Sequence, residues 1–340
     1  MTAHAMESTV KALLAPGKGI LAADESFPTI EKRFKALGIS STEKNRSLYR
    51  ELLFTTPALN EFVSGVILFD ETLHQWTKDN VPLPEILTKQ GIIPGIKVDK
   101  GTVALANFPG EKITQGLDGL RERLIEYHKL GARFTKWRAV MTIGENIPTP
   151  TGIAANASAL ALFAALSQEA GLVPIVEPEV LMNGNHSISR CEEVTTATLQ
   201  TVFAALFDHR VVLEQMLLKT GMVLSGEECS EQAGDEVVAE TTLRCLRRAV
   251  PAAVPGIVFL SGGQSAHVAT QRLNAICRVG GAPWKLSFSF GRALQSPAMK
   301  AWKGSPDNVV AAQAALQHRA ECNGLAVRGE YSAQAEKSTL

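Results

Sequence analysis

The sequence has few of the residues that would staple a small fold. Its five cysteines, Cys191, Cys229, Cys245, Cys277 and Cys322, are odd in number, far apart and free of any C-x-x-C pair. That spacing argues against a disulfide framework and a zinc ribbon, and suits a reducing compartment. An excess of one charge sign is also missing: 34 Lys and Arg balance 34 Asp and Glu. A neutral balance gives no electrostatic reason to expect nucleic acid or an anionic membrane as partner. No run of about 18 apolar residues is present to span a bilayer. The stretch 1–19 has neither the apolar core nor the cleavage pattern of a secretory signal, so a cytoplasmic location is expected.

Nucleotide and metal signatures are missing as well. The LSGGQ at 260–264 copies the signature of ABC-type ATPases, but no G-x-x-x-x-G-K-[ST] exists to hold nucleotide phosphates. The seven histidines (4, 74, 128, 186, 209, 267 and 318) are scattered, without an H-E-x-x-H or a tight ligand cluster, so no metal and no cofactor are expected. No serine or cysteine sits in a recognisable nucleophile elbow.

What is present is a regular alternation. Short apolar runs occupy 19–24, 63–69, 93–98, 134–140, 173–180, 216–219, 256–261 and 286–290. They are too short for core helices and apolar nearly throughout, as parallel strands buried on both faces are. Helical patterns lie between them. A capping box from Ser40 to Glu43 starts a segment that runs to about Phe54. Leu117, Leu120, Leu124 and Tyr127 share helical spacing and stop at Gly131. Segments 153–170, 189–208, 235–249, 265–278 and 306–323 also read as helices, the last with Pro306 in its first turn. Eight strands with helical material after each, and no linker between halves, give the α/β class and a single-domain (β/α)8 TIM barrel over 1–325. An open doubly wound sheet would expect a G-x-G-x-x-G, and Gly17-Lys18-Gly19 lacks the third glycine. Residues 326–340 are polar and are expected to form a mobile tail.

The charges sit where a barrel builds its site. Asp24, Lys97 with Asp99, Lys136 with Arg138, Glu177 with Glu179, and Lys219 each stand at or near the carboxyl end of a strand. One such residue is ordinarily a solvated loop charge or half of a salt bridge. Five strands repeating the pattern point instead to one functional mouth. Lys219 and Lys136 interrupt buried-type runs with no obvious local partner.

A lysine of pKa ~10.4 is neutral in only about one molecule in two thousand at pH 7. A second ammonium about 5 Å away, at an effective dielectric near 20, opposes protonation by roughly 3 kcal/mol, or on the order of two pKa units. Such an amine can form an imine with a ketone, an electron sink that lets a neighbouring C–C bond break. Glu177, Glu179 and Asp24 are candidates for the proton transfers. The loops after the last two strands, Ser261-Gly262-Gly263 and Ser289-Phe290-Gly291-Arg292, suit a phosphate, with Arg292 as charge clamp. Ser26, Lys32 and Arg33 after the first strand could hold a second one.

The segments at 15–26 (APGKGILAADES), 65–73, 95–101, 114–120, 136–138 (KWR), 171–179 (GLVPIVEPE), 217–219, 259–265 (FLSGGQS) and 290–295 resemble the class I fructose-bisphosphate aldolase family. The resemblance runs in the same order from about residue 10 to 330. It implies a (β/α)8 barrel and metal-free, reversible cleavage of fructose 1,6-bisphosphate into dihydroxyacetone phosphate and glyceraldehyde 3-phosphate. By resemblance, Lys219 is the Schiff-base lysine, Lys136 the lysine beside it, Glu177 the main general acid/base and Glu179 its neighbour. Asp24 is similar to the aspartate that serves the C3–C4 hydroxyl chemistry. Lys97 resembles a basic residue near the reacting centre, and Arg138 an arginine lining the mouth. Ser261, Gly262, Gly291 and Arg292 match the C1-phosphate site, and Ser26 and Thr29 would face the C6 phosphate; Gly263 and Ser289 are further substrate-binding candidates in the same loops. The family is commonly tetrameric, which implies a homo-oligomer.

Three departures stand out. Thr220-Gly221 follows Lys219 where the family commonly has Pro-Asn, Thr29 replaces a commoner serine, and the chain ends EKSTL without the terminal tyrosine of many members. Two rival readings share parts of the pattern. Another Schiff-base barrel enzyme, such as a transaldolase, would keep Lys219 without needing two phosphate sites. A non-catalytic scaffold would reuse the charged mouth for contacts.

Overall fold

The structure is a computed structural model that describes residues 3–337. Strands β1 (Gly19–Ala23), β2 (Val63–Leu68), β3 (Ile93–Lys97), β6 (Phe134–Met141), β7 (Val173–Val180), β8 (Leu217–Thr220), β9 (Gly256–Phe259) and β10 (Lys285–Phe290) close into one barrel. The order around it is β1-β10-β9-β8-β7-β6-β3-β2, every neighbouring pair parallel. Each strand lies within one or two residues of an apolar run in the sequence. Strands β4 (Thr102–Ala104) and β5 (Lys112–Thr114) form an antiparallel hairpin outside the barrel.

A strand's period of two explains why the charges converge. Ile20 and Ala22 of β1, Phe134 of β6, Val173 and Ile175 of β7, and Leu217 of β8 belong to one buried cluster inside the barrel floor. Their neighbours Leu21, Trp137, Val176 and Leu218 belong to a second cluster beneath the surrounding helices. Stepping on by twos from the inner set reaches Asp24, Lys136 and Arg138, Glu177 and Glu179, and Lys219. The same step along β3 runs from Ile93 through Gly95 to Lys97, which pairs in register with Lys136. Gly95 must be small, because a Cβ there would lie 2.3 Å from the buried Phe134 ring. Helix Ala3–Leu13 closes the floor with Met6, Val10 and Leu13.

Three local readings are corrected. The helix of 43–54 is capped by Thr42, whose hydroxyl accepts from Asn45 N, and not by Ser40. Pro306 opens a separate 3-10 turn (Pro306–Asn308), and the following helix runs Val309–Val327. The segment from 326 does not hang free. Ala326 and Val327 complete that helix, Tyr331 is buried, and Glu336 pairs with Arg319. Buried Arg319 of helix Val309–Val327 fastens the short helix Ala333–Lys337 there, and residues 338–340 lie outside the described residues. Helix Pro150–Glu169 is long and apolar enough by length and composition to cross a bilayer. More than half of it is buried, packed on the barrel.

Candidate active site

The carboxyl ends of the barrel strands open into one cavity of about 1370 Å³. Every site residue expected from the sequence lines it: Asp24, Ser26, Thr29, Lys97, Lys136, Arg138, Glu177, Glu179, Lys219, Ser261, Gly262, Gly263, Ser289, Gly291 and Arg292. Lys32 and Arg33 line it as well.

The deepest layer is an alternation of acid and base. Lys136 Nζ donates to Asp24 Oδ2 at 3.0 Å and lies 2.9 Å from Glu177 Oε2. Lys219 Nζ lies 3.3 Å from Glu177 Oε1. Glu177 therefore bridges the two lysines, one on each oxygen. These are ion pairs by distance, and Glu177 Oε2 accepts no aligned hydrogen bond. A carboxylate so placed has a lone pair free to take a proton and an ammonium beside it to stabilise the anion. Lys136, Glu177 and Lys219 are each buried.

Lys219 and Lys136 have no partner nearby in the sequence, and the fold brings partners from elsewhere. Glu177 comes from the adjacent strand and Asp24 from the far side of the barrel, 112 residues from Lys136. Burial opposes the charge of Lys136, yet Asp24, Glu177 and Asp99 outweigh it and hold the ammonium protonated well above the usual lysine range. Burial likewise opposes the charge of Asp24. The ammonium groups of Lys136, Lys219 and Lys97 overcome it and keep the carboxyl ionised well below its usual range.

Two supporting acids surround this layer. Glu179 accepts from Arg138 Nε, and that pair outweighs burial to hold the guanidinium charged. Asp99 gathers three donors: Lys97 Nζ at 2.6 Å, Gly101 N at 3.1 Å and Arg138 N at 3.2 Å. It fixes Lys97 and Arg138 together, a role visible only once β3 and β6 are paired. Glu25, next to Asp24, is buried on Arg50, Arg33 and Gln295. A carboxylate in a D-E pair after a strand was the only trace of it in the sequence.

The walls differ from the floor in carrying unpaired donors. Gly291 caps helix Arg292–Trp302, whose amino terminus faces the cavity with Arg292 exposed at its first position. A Cβ on Gly263 would lie 3.4 Å from Arg292 Nη2, so the loops after β9 and β10 meet there. Ser289 Oγ is buried beside them without a partner among the described residues. Ser26 caps helix Phe27–Lys35 after β1 and Thr29 lies in its first turn, their hydroxyls 3.2 Å apart.

The departures from the family pattern are accommodated locally. Thr220 O accepts from Leu260 N, continuing the ladder past Lys219. A Cβ on Gly221 would meet only ordinary contacts at 3.9 Å. Tyr331 does not line the cavity, and its hydroxyl donates to Glu336 Oε2 at 2.6 Å. Among the described residues no group of three or more His, Cys, Asp or Glu is arranged to hold a metal ion.

The charge layer sets a stability prediction. Asp24 titrates below its ordinary 3.8, so its contribution is present above that pH and is lost as pH falls through the depressed value. Lys136 titrates above its ordinary 10.5, so its contribution is present below that pH and is lost as pH rises further. Between about pH 4 and 10 neither contribution changes. Lys136→Met removes the ammonium nearest Asp24 and leaves Glu177 with Lys219 alone, costing about 3–5 kcal/mol near pH 8. Asp24 then loses the largest of the charges that keep its carboxyl ionised, so relative to wild type the variant recovers stability on going from pH 8 to pH 5. Urea denaturation at the two pH values measures this.

Comparison with known proteins follows the same lines. The family model described as fructose-bisphosphate aldolase class-I matches residues 5–340. A probable fructose-bisphosphate aldolase class 1 of Xanthomonas axonopodis pv. citri is 56% identical, covering 97% of this chain and 99% of its own. Fructose-bisphosphate aldolase 5, cytosolic, of Arabidopsis thaliana is 54% identical, covering 95% and 90%. Among solved structures, fructose-bisphosphate aldolase from Plasmodium falciparum, in a ternary complex with TRAP and a small-molecule inhibitor, superposes with a TM-score of 0.96. It is 49% identical over 97% of this chain and 96% of that one. The chain belongs to the class I fructose-bisphosphate aldolase family.

Proposed function

We propose that Lys219 is the nucleophile of a metal-independent aldol cleavage, with Glu177 as its proton carrier. The observation that carries this reading is the Glu177 carboxylate lying between Lys219 at 3.3 Å and Lys136 at 2.9 Å in a buried layer. Lys219 gives up a proton to Glu177 and adds to C2 of the open-chain ketose. Glu177 returns a proton to the C2 hydroxyl, which leaves as water, and a protonated imine remains. Lys136, held as an ammonium by its neighbours, stabilises the oxygen that carries negative charge at each transfer.

The imine then draws electrons from the C3–C4 bond. The C4 hydroxyl proton passes to the Asp24 carboxylate, C4 becomes the aldehyde carbon of glyceraldehyde 3-phosphate, and an enamine stays on Lys219. Protonation at C3 and addition of water release dihydroxyacetone phosphate and the free lysine. Each step has a microscopic reverse, so the same residues serve condensation. Ser261, Gly262, Gly263, Ser289, Gly291 and Arg292 hold one phosphate, and Ser26 and Thr29, with Lys97, Lys32 and Arg33 nearby, the other. Two anion sites in one mouth, one after β9 and β10 and one after β1, suit a bisphosphate better than the single site a transaldolase would need. Arg138, tied to Glu179, lines the path between them.

A cytosolic location extends to this chain from relatives such as the Arabidopsis enzyme. A homotetramer extends from the family pattern, and the exposed Phe207 and Val310 support subunit contacts on the outer helices.

Two variants separate the parts. Glu177→Gln keeps the shape and loses the proton carrier, so kcat for fructose 1,6-bisphosphate cleavage falls by roughly 10²–10⁴ with a smaller change in KM. An unchanged kcat would remove Glu177 from the proton path. Arg292→Ala raises KM by roughly 30-fold or more with kcat less affected, and unchanged KM would remove it from the phosphate site.

A further inference from the structure

The loop after β9 turns through Ser261-Gly262-Gly263-Gln264. Gly262 and Gly263 take φ of +55° and +94°, and Gln264 N donates to Ser261 O at 3.0 Å. Two left-handed central residues closed by that bond make a turn of the type I′ kind, which glycine adopts without strain. The Gln264 side chain adds a second lock. Its Nε2 donates to the same Ser261 O at 3.0 Å, while its Oε1 accepts from Arg272 Nη1 at 3.0 Å. Arg272 is itself anchored on Asp235 Oδ1 at 3.2 Å and Ala233 O at 3.4 Å. Gln264 is buried, and its Nε2 also touches Met222 Sδ at 3.7 Å, three residues beyond Lys219.

The peptide between Ser261 and Gly262 is planar and trans, so its C=O and N–H point in opposite directions. With both lone pairs of Ser261 O engaged by Gln264, the Gly262 N–H is turned away from that side. Gly262 and Gly263 line the cavity, and neither N–H donates to an acceptor among the described residues. A glycine pair left to itself would let this peptide flip at low cost. We propose that Gln264, locked by Arg272, is a positioning residue that aims the Gly262 and Gly263 N–H groups at a substrate phosphate. This rests on the assignment of the loop to phosphate binding made above. It also gives the LSGGQ stretch a role that has nothing to do with nucleotides: the glutamine orients, and the glycines bind.

Two variants of similar size test it. Gln264→Met offers no N–H and no charge; Gln264→Glu keeps a partner for Arg272 but, as a carboxylate, offers no N–H. Both are expected to raise KM for fructose 1,6-bisphosphate, and the inhibition constant of inorganic phosphate, on the order of tenfold. Both leave kcat within about threefold, a split that general loss of structure would not produce. Weakening in Gln264→Glu with none in Gln264→Met would assign the effect to charge and overturn the proposal. Where Gln264→Met does not fold, Arg272→Met, which frees the glutamine without adding charge to the loop, takes its place. An unchanged phosphate constant in these variants, with Arg292→Ala still weakening it, would overturn the positioning role and leave the phosphate site standing. If Arg292→Ala also left it unchanged, both assignments would fail.

Discussion

The mouth of this barrel is organised by one buried ammonium. Lys136 is held by Asp24 on one side and Glu177 on the other, and the three come from β6, the end of β1 and β7. Burying any of them alone would cost several kcal/mol, and the arrangement is tolerable only because each charge has its opposite within 3 Å or so. That mutual dependence fixes the remaining geometry. With Glu177 oriented by Lys136, its second oxygen is presented to Lys219. With Asp24 ionised, the cavity keeps a carboxylate beside the reacting region at any working pH.

Around that layer the labour is divided by burial. Lys136, Glu177 and Lys219 are buried and Asp24 is nearly so, whereas Arg292 and Thr29, assigned to the phosphates, are exposed beyond the neighbouring strands β10 and β1, although Ser261 and Ser289 are buried. A highly charged group is cheaper to hold at a wetter rim, by backbone N–H groups and helix amino termini, than in a dry floor. The dry floor is where electrostatic stabilisation of a changing charge is strongest.

Much of this was legible in the sequence because strands impose a short period. A run such as VPIVEPEV alternates its inward residues, so Val173 and Ile175 lead directly to Glu177 and Glu179 on the same face. Nothing comparable marks the hairpin of β4 and β5, whose three-residue strands are partly exposed and carry no apolar run. The partner of Lys219 was not legible either, because contact between adjacent strands depends on their register and not on local spacing. The same holds for Asp99, whose three donors come from its own turn and from β6. The polar segment after 326 read as a tail since its anchors, Asn274 and Arg319, lie on other turns of the chain.

The central claim is that Lys219 carries the covalent chemistry. Its most direct test is borohydride reduction of the protein in the presence of dihydroxyacetone phosphate, followed by peptide mapping. The account predicts one adduct, on the peptide containing Lys219, and none in Lys219→Met. An adduct at Lys136 or Lys97, or its persistence in Lys219→Met, would contradict it.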